Sequence, residues 1–164
     1  MNHLTSLHSL VGLTQLHDLS AKDNQLRCIG PELGTLPRLR KLHLDSNRIE
    51  SMEGLEACTG LHTLGMTNNL LTGLGSSLAG CSGRLEVLHV SANRLSSLDG
   101  LEVCTRLRVL DASRNQLREL PSTLAAYHLL QVRTPADSES GLLIQHQEGQ
   151  PDWTLAKTIV FQRQ

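Results

Sequence analysis

The chain has 164 residues, 15 basic against 16 acidic side chains for a formal net charge of −1, and one each of Phe, Trp and Tyr. Such a balance supplies no basic stripe for nucleic acid and no charge to draw the chain to an anionic membrane, so neither partner is expected. Leucine makes up about a fifth of the residues. The interior is therefore expected to be aliphatic, and no run approaches the ~18 continuous apolar residues of a membrane span.

The chain opens MNHLTSLHSLVGLTQL, with leucine at every third place and no basic flank, which is not the pattern of a secretory signal. Asn2, Leu4, Leu7, Leu10, Leu13 and Leu16 repeat the offsets of Asn47, Ile49, Met52, Leu55, Cys58 and Leu61. Residues 1–15 thus read as a partial unit without its strand half. The sheet edge near 18–21 is expected to lack a neighbour, with Leu4 and Leu7 open to water. Coverage by a partner, upstream repeats, or simple fraying would each account for that end.

Five full units follow from residue 16. Asparagines at 2, 24, 47, 69, 93 and 115 recur at intervals of 22, 23, 22, 24 and 22, and the last five close the string LxxLxLxxN. The copies are LHDLSAKDN, LRKLHLDSN, LHTLGMTNN, LEVLHVSAN and LRVLDASRN. Repetition at this period is the mark of a solenoid. Inside each string apolar residues alternate with others, the period of a half-buried strand, so stacking predicts one parallel sheet. After each Asn the spacing changes to threes, as in Leu95, Leu98, Leu101, Cys104 and Leu107. That suits short 3₁₀ or α turns on the convex side.

The fold class is therefore α/β: a right-handed β/α solenoid with a parallel concave sheet and short convex turns. The recurring asparagine stands where the chain leaves the sheet and its backbone groups lose their strand partners. A carboxamide both donates and accepts, so Asn24, Asn47, Asn69, Asn93 and Asn115 are expected to form a structural ladder.

These strings resemble the leucine-rich repeats of intracellular proteins. MEGLEACTGL (52–61) and LDGLEVCTRL (98–107) are similar to the connecting half of the 22-residue subclass typified by the phosphatase-1 nuclear regulator and the axonemal dynein light chain. IGPELGTLPRL and LPSTLAAYHLL look more like the Leu-Pro type, so the array is mixed. The resemblance covers roughly residues 2–130 and implies protein binding without catalysis, either as an adaptor or small subunit of a larger assembly or as a regulator docked on an enzyme such as a phosphatase.

Cys58, Cys81 and Cys104 recur at similar height, yet each replaces a core leucine and is expected to be a buried thiol rather than a zinc ligand. Cys28, between Leu26 and Ile29, is the candidate exposed thiol. With cysteines mid-array rather than in terminal caps, a reducing, cytoplasmic compartment is expected, with cytoskeletal or nuclear placement left open. The glycine-rich run 72–83 has neither phosphate-loop spacing and reads as a convex insertion. No nucleophile with an oxyanion turn accompanies the histidines, so no catalytic residue, metal or cofactor is assigned.

The concave face is the candidate site. Its columns read Asp18, Lys41, Thr63, Val87, Val109; then Ser20, His43, Gly65, His89, Asp111; then Lys22, Asp45, Thr67, Ser91, Ser113. Lys41, His43, Asp45, Gly65, Thr67, Val87, His89, Val109, Asp111 and Arg114 are the candidate partner-binding residues, with Gly65 expected to leave a dip for an apolar anchor. The repeat domain is set at 1–133, including a decaying sixth unit from 129, and 134–164 is a capping or interaction tail, hairpin or short helix.

Overall fold

A computed structural model describes residues 2–117 with their side chains, and the backbone of two further strands at 131–133 and 143–145. Each LxxLxLxxN string contributes three residues of strand: β1 (Asp18–Ser20), β2 (Lys41–His43), β3 (Thr63–Gly65), β4 (Val87–His89) and β5 (Val109–Asp111). They pair in parallel and strictly in sequence order, so Leu19, Leu42, Leu64, Leu88 and Leu110 stand side by side. The last four of these have no exposed surface. The chain returns between strands through 3₁₀ turns at Pro31–Thr35, Ser77–Gly80 and Leu101–Val103, with another at His8–Leu10. Sheet and turns enclose one leucine core, with Ile49, Met52, Leu55 and their counterparts in later units fully covered.

The turn off the sheet is the same in every unit. The residue before each ladder asparagine is left-handed: Asp23, Ser46, Asn68, Ala92 and Arg114 have φ between 52° and 57°. Reversing the chain so abruptly turns carbonyls into the interior, and the next side chain meets them. The Asn69 amide nitrogen donates to the carbonyls of Leu44, Met66 and Thr67 at 3.0, 3.2 and 3.3 Å, while its Oδ1 accepts the Ile49 N–H at 3.0 Å. Asn47, Asn93 and Asn115 repeat the pattern, each tied to the unit before it. Asn24 holds the N-terminal segment likewise, through the Leu4 N–H at 2.9 Å.

Convex turns stack so closely that some positions admit no side chain. A Cβ at Gly80 would run into the Glu56 carbonyl, and one at Gly100 into that of Gly75. Part of the glycine-rich run is therefore close backbone contact between units. In the repeated phrases, Gly54 N–H donates to Glu56 and Gly100 N–H to Glu102, both at 2.8 Å.

One expectation needs correction. Leu7 is buried in the core, not open to water. The His8–Leu10 turn is tied to the Pro31–Thr35 turn by a contact between His8 Nδ1 and Glu32 Oε1. At the other end, β6 (Gln131–Arg133) does not extend the parallel series. β7 (Leu143–Gln145) lies antiparallel beside β5, and β6 lies antiparallel outside β7. β6 falls at the strand place of the decaying sixth unit from 129 and runs in the direction of β5, with the reversed β7 between them; the rest of the tail, including the choice of hairpin or short helix, lies outside the described residues.

Asn69→Ala should lower stability by about 1–3 kcal/mol, the cost of unpaired buried groups. Asn68→Ala should cost about 1 kcal/mol because alanine resists the left-handed φ found there. Conversely, Ala92→Gly should gain about 0.5–1 kcal/mol at the equivalent place. Urea melts of the three variants check the set, and a neutral Asn69→Ala would refute the ladder's energetic role.

Candidate protein-binding surface

The strand register fixes which side chains share the concave face. Asp18, Lys41, Thr63, Val87 and Val109 form one row, and Ser20, His43, Gly65, His89 and Asp111 the next. The third row follows from the backbone bonds after the strands, where Asp23, Ser46, Asn68 and Ala92 donate to Asp45, Thr67, Ser91 and Ser113.

The charged residues of units 1 and 2 stand in pairs of opposite sign across adjacent strands. Lys22 Nζ lies 3.0 Å from Asp45 Oδ2, and Lys41 Nζ 3.9 Å from Asp18. His43 Nδ1 lies 3.9 Å from the same Asp45 oxygen, beyond hydrogen-bond reach. Lys22 was absent from the candidate residues, although its place beside Asp45 in the third column is the signal that would have included it.

Gly65 does not open a dip. A Cβ there would lie 3.0 Å from both Asp45 carboxylate oxygens and from His43 Nδ1, so neighbouring side chains already fill the space. The missing side chain lets Asp45 cross to the next strand, where Oδ1 accepts the Thr67 N–H at 2.9 Å. Thr67 Oγ1 in turn meets Ser91 Oγ at 3.2 Å. Further along, Asp111 Oδ1 accepts both the N–H and the hydroxyl of Ser113 at 3.0 and 2.7 Å. Asp45 and Asp111 are thus held in fixed orientations by backbone N–H groups.

Between these polar centres lies a neutral stretch. Thr63, Val87 and Val109 are adjacent in register, each half-buried, with His89 beside them. Arg108 lies at the rim, 4.0 Å from Glu86, and Arg114 is exposed on the turn after β5. Two strand spacings separate His43 from His89, roughly 10 Å, too far to share an ion.

The cysteine column belongs to the core. Cys58, Cys81 and Cys104 are buried and Cys28 is exposed, all as free thiols. Burial pushes the Cys58 and Cys81 thiols up to about 11 and Cys104 to about 12. Among the described residues, no group of three His, Cys, Asp or Glu is placed to hold a metal ion. No helix among them is long and apolar enough to cross a membrane.

A family model described as leucine-rich repeats in two copies matches residues 14–57, 37–80 and 83–126. The chain belongs to the leucine-rich repeat family. An internalin (inlF) from Listeria monocytogenes is 27% identical with TM-score 0.69, over 76% of this chain and 36% of that one. The protein LIC12759 of Leptospira interrogans is 23% identical with TM-score 0.65, over 71% and 30% of the two chains, and bears on the fold alone. A chain from the octameric complex of Latrophilin 3, Unc5D and the leucine-rich repeats of FLRT2 is 25% identical with TM-score 0.68, over 77% and 40%. This chain thus spans well under half the length of each of these structures. No curated protein matches it in sequence.

Gly65→Ala should destabilise the protein by about 1–2 kcal/mol, since the new methyl displaces Asp45 from the Thr67 N–H. That loss should shrink in an Asp45→Ala background, because the two residues contend for one space. A double-mutant cycle in urea tests this, and additive effects would contradict it. For the thiols, the folded protein favours the neutral form above the pH at which unfolded cysteine ionises. Stability should therefore fall as pH rises from about 9 toward 12. Thiol reagents at neutral pH should modify Cys28 alone until denaturant is added; rapid labelling of four thiols in the folded chain would disprove that burial.

Proposed function

We propose that the chain is a non-catalytic protein-binding module, an adaptor or small subunit of a larger assembly, that holds a partner segment across the concave face of units 3 to 5. Leucine-rich repeat proteins generally act by binding other proteins, and stacked repeats present a long rigid surface for it. The observation that carries the reading is the row Thr63, Val87, Val109, half-buried and uncharged, while the charges of units 1 and 2 are drawn into pairs. An apolar strip set between fixed polar groups has the make-up of an interface core with its rim. His89, Asp111 and Arg114 supply the polar side of that rim; Asp45, with His43 and Lys41 near it, supplies the other. Gly65 and Thr67 hold Asp45 in position.

A cytoplasmic, reducing compartment is part of the proposal, on the strength of the free thiols, one of them exposed. The phrases similar to the phosphatase-1 regulator subclass favour a second reading, a regulatory subunit docked on an enzyme. Yet their glycines and glutamates close convex turns, so the phrases describe scaffold rather than a partner's footprint.

Affinity capture from the native cell, followed by mass spectrometry, tests the surface when run with Val87→Glu/Val109→Glu beside the wild type. The expected outcome is a partner retained by the wild type and lost from the variant with its melting midpoint unchanged. Equal capture by both would move the interface off the concave face. A captured phosphatase whose activity changes on adding this chain would select the regulatory reading.

A further inference from the structure

The charges of this chain cancel in number but not in place. Backbone bonds stack the residues just ahead of the strands into a row: Arg40 N–H donates to His17, His62 to Arg40, Glu86 to His62 and Arg108 to Glu86. Two residues earlier in each unit stand Gln15, Arg38, Gly60, Arg84 and Arg106. Arg38 Nη1 donates to Gln15 Oε1 at 2.6 Å, so side chains meet along this second row as well. The two rows form the rim where the chain enters the sheet. They hold five of the nine arginines of residues 2–117 and one carboxylate, Glu86, so a chain of net charge −1 presents a basic border.

Glu86 lies 4.0 Å from Arg108. Arg38, Arg40, Arg84 and Arg106 are exposed and have no acidic partner among the described residues. Unit 3 contributes no arginine; there the His62 ring turns back to the Gly60 carbonyl, with Nδ1 2.7 Å from the oxygen. The cations therefore stand in two groups, Arg38 and Arg40 ahead of β2, and Arg84 and Arg106 ahead of β4 and β5. Next to the rim, on the concave side, runs the neutral row Thr63, Val87 and Val109.

We propose that the rim binds an acidic amphipathic helix of a partner protein, whose apolar stripe lies on Thr63, Val87 and Val109. The proposal rests on the concave-face reading and gives the partner its chemistry. Neighbouring strands lie about 4.8 Å apart, close to the roughly 5.4 Å of one helical turn. A helix laid across the units thus meets one unit with each turn. With one carboxylate at Arg38 and Arg40, others about seven and eleven residues further along the same face reach Arg84 and Arg106. Each guanidinium takes a carboxylate through two parallel N–H bonds. Nucleic acid suits the rim less well. Residues 2–117 contain no Phe, Trp or Tyr on which bases could stack, and a phosphate chain following the rim meets Glu86.

Fluorescence anisotropy of the full chain with two labelled helical peptides of about 21 residues tests this. One carries a leucine stripe bordered by glutamates; the other has lysine in place of each glutamate. The acidic peptide should bind at least about ten-fold more tightly than the basic one. Arg38→Glu/Arg40→Glu/Arg84→Glu/Arg106→Glu should invert that order, with circular dichroism and melting midpoint close to the wild type. If the four glutamates unfold the chain, the same four positions changed to Gln decide the matter, and the two peptides should then bind alike. Val87→Ser/Val109→Ser, which leaves the charge unchanged, should weaken the acidic peptide. Unchanged binding there beside inversion in the arginine variant would remove the concave seat and leave the rim. An acidic preference that persists in the arginine variants overturns the rim alone. A wild type that binds neither peptide, or that uses these arginines to bind duplex DNA or phosphatidylserine vesicles more tightly than the acidic peptide, would also overturn it.

Discussion

One hydrogen-bonding problem governs this structure: how the chain leaves a parallel sheet every 22 to 24 residues without stranding buried carbonyls. The left-handed residue makes the turn abrupt, and the asparagine after it makes the turn tolerable. Asp in its place has no donor for the carbonyls, and Ser has no amide to span several of them. Gln has the right group on a stem one carbon too long. Because each Asn also accepts an N–H from the preceding unit, the same side chain that closes a turn clamps one unit to the next. Unit spacing and strand register follow from that clamp.

Register in turn converts sequence columns into a surface. Once Thr63, Val87 and Val109 are adjacent, their neutrality becomes a continuous strip. The ion pairs nearby are worth little in stability, since exposed pairs gain only a few tenths of a kcal/mol up to about 1. Their consequence is orientation. Asp45 is fixed by a backbone N–H and a lysine, so a partner on the proposed face would meet a carboxylate already in place.

Much of the architecture was legible because it depends on local pattern: the strand leucines, the ladder asparagines and the cysteines in leucine positions all occupy the environments their period implies. What was not legible depends on a neighbour's side chain or backbone. Gly65 reads as empty space in a column, yet its space belongs to Asp45 in the adjacent unit and to His43 beside it. Asn68 reads as a surface residue, yet its φ of 57° makes its identity matter. Leu7 follows the same three-residue spacing as Leu4, yet Leu7 lies in the core and Leu4 is half exposed. The order β5-β7-β6 sets the later strand of the two beside β5, and no periodicity in the sequence records that.

The concave assignment is less legible than the fold for a related reason. Residues that recur do so because stacking demands them, and whatever recurs is therefore scaffold. On the proposed reading, specificity resides in the positions where units differ: Gly65 against His43 and His89, Val87 and Val109 against Lys41. The same logic sets the two edges of the sheet apart. Beyond β5 the parallel series is interrupted by β7, which runs antiparallel to β5 on one side and to β6 on the other. At β1 the outward groups keep the spacing found between every inner pair, backed by uncovered leucines.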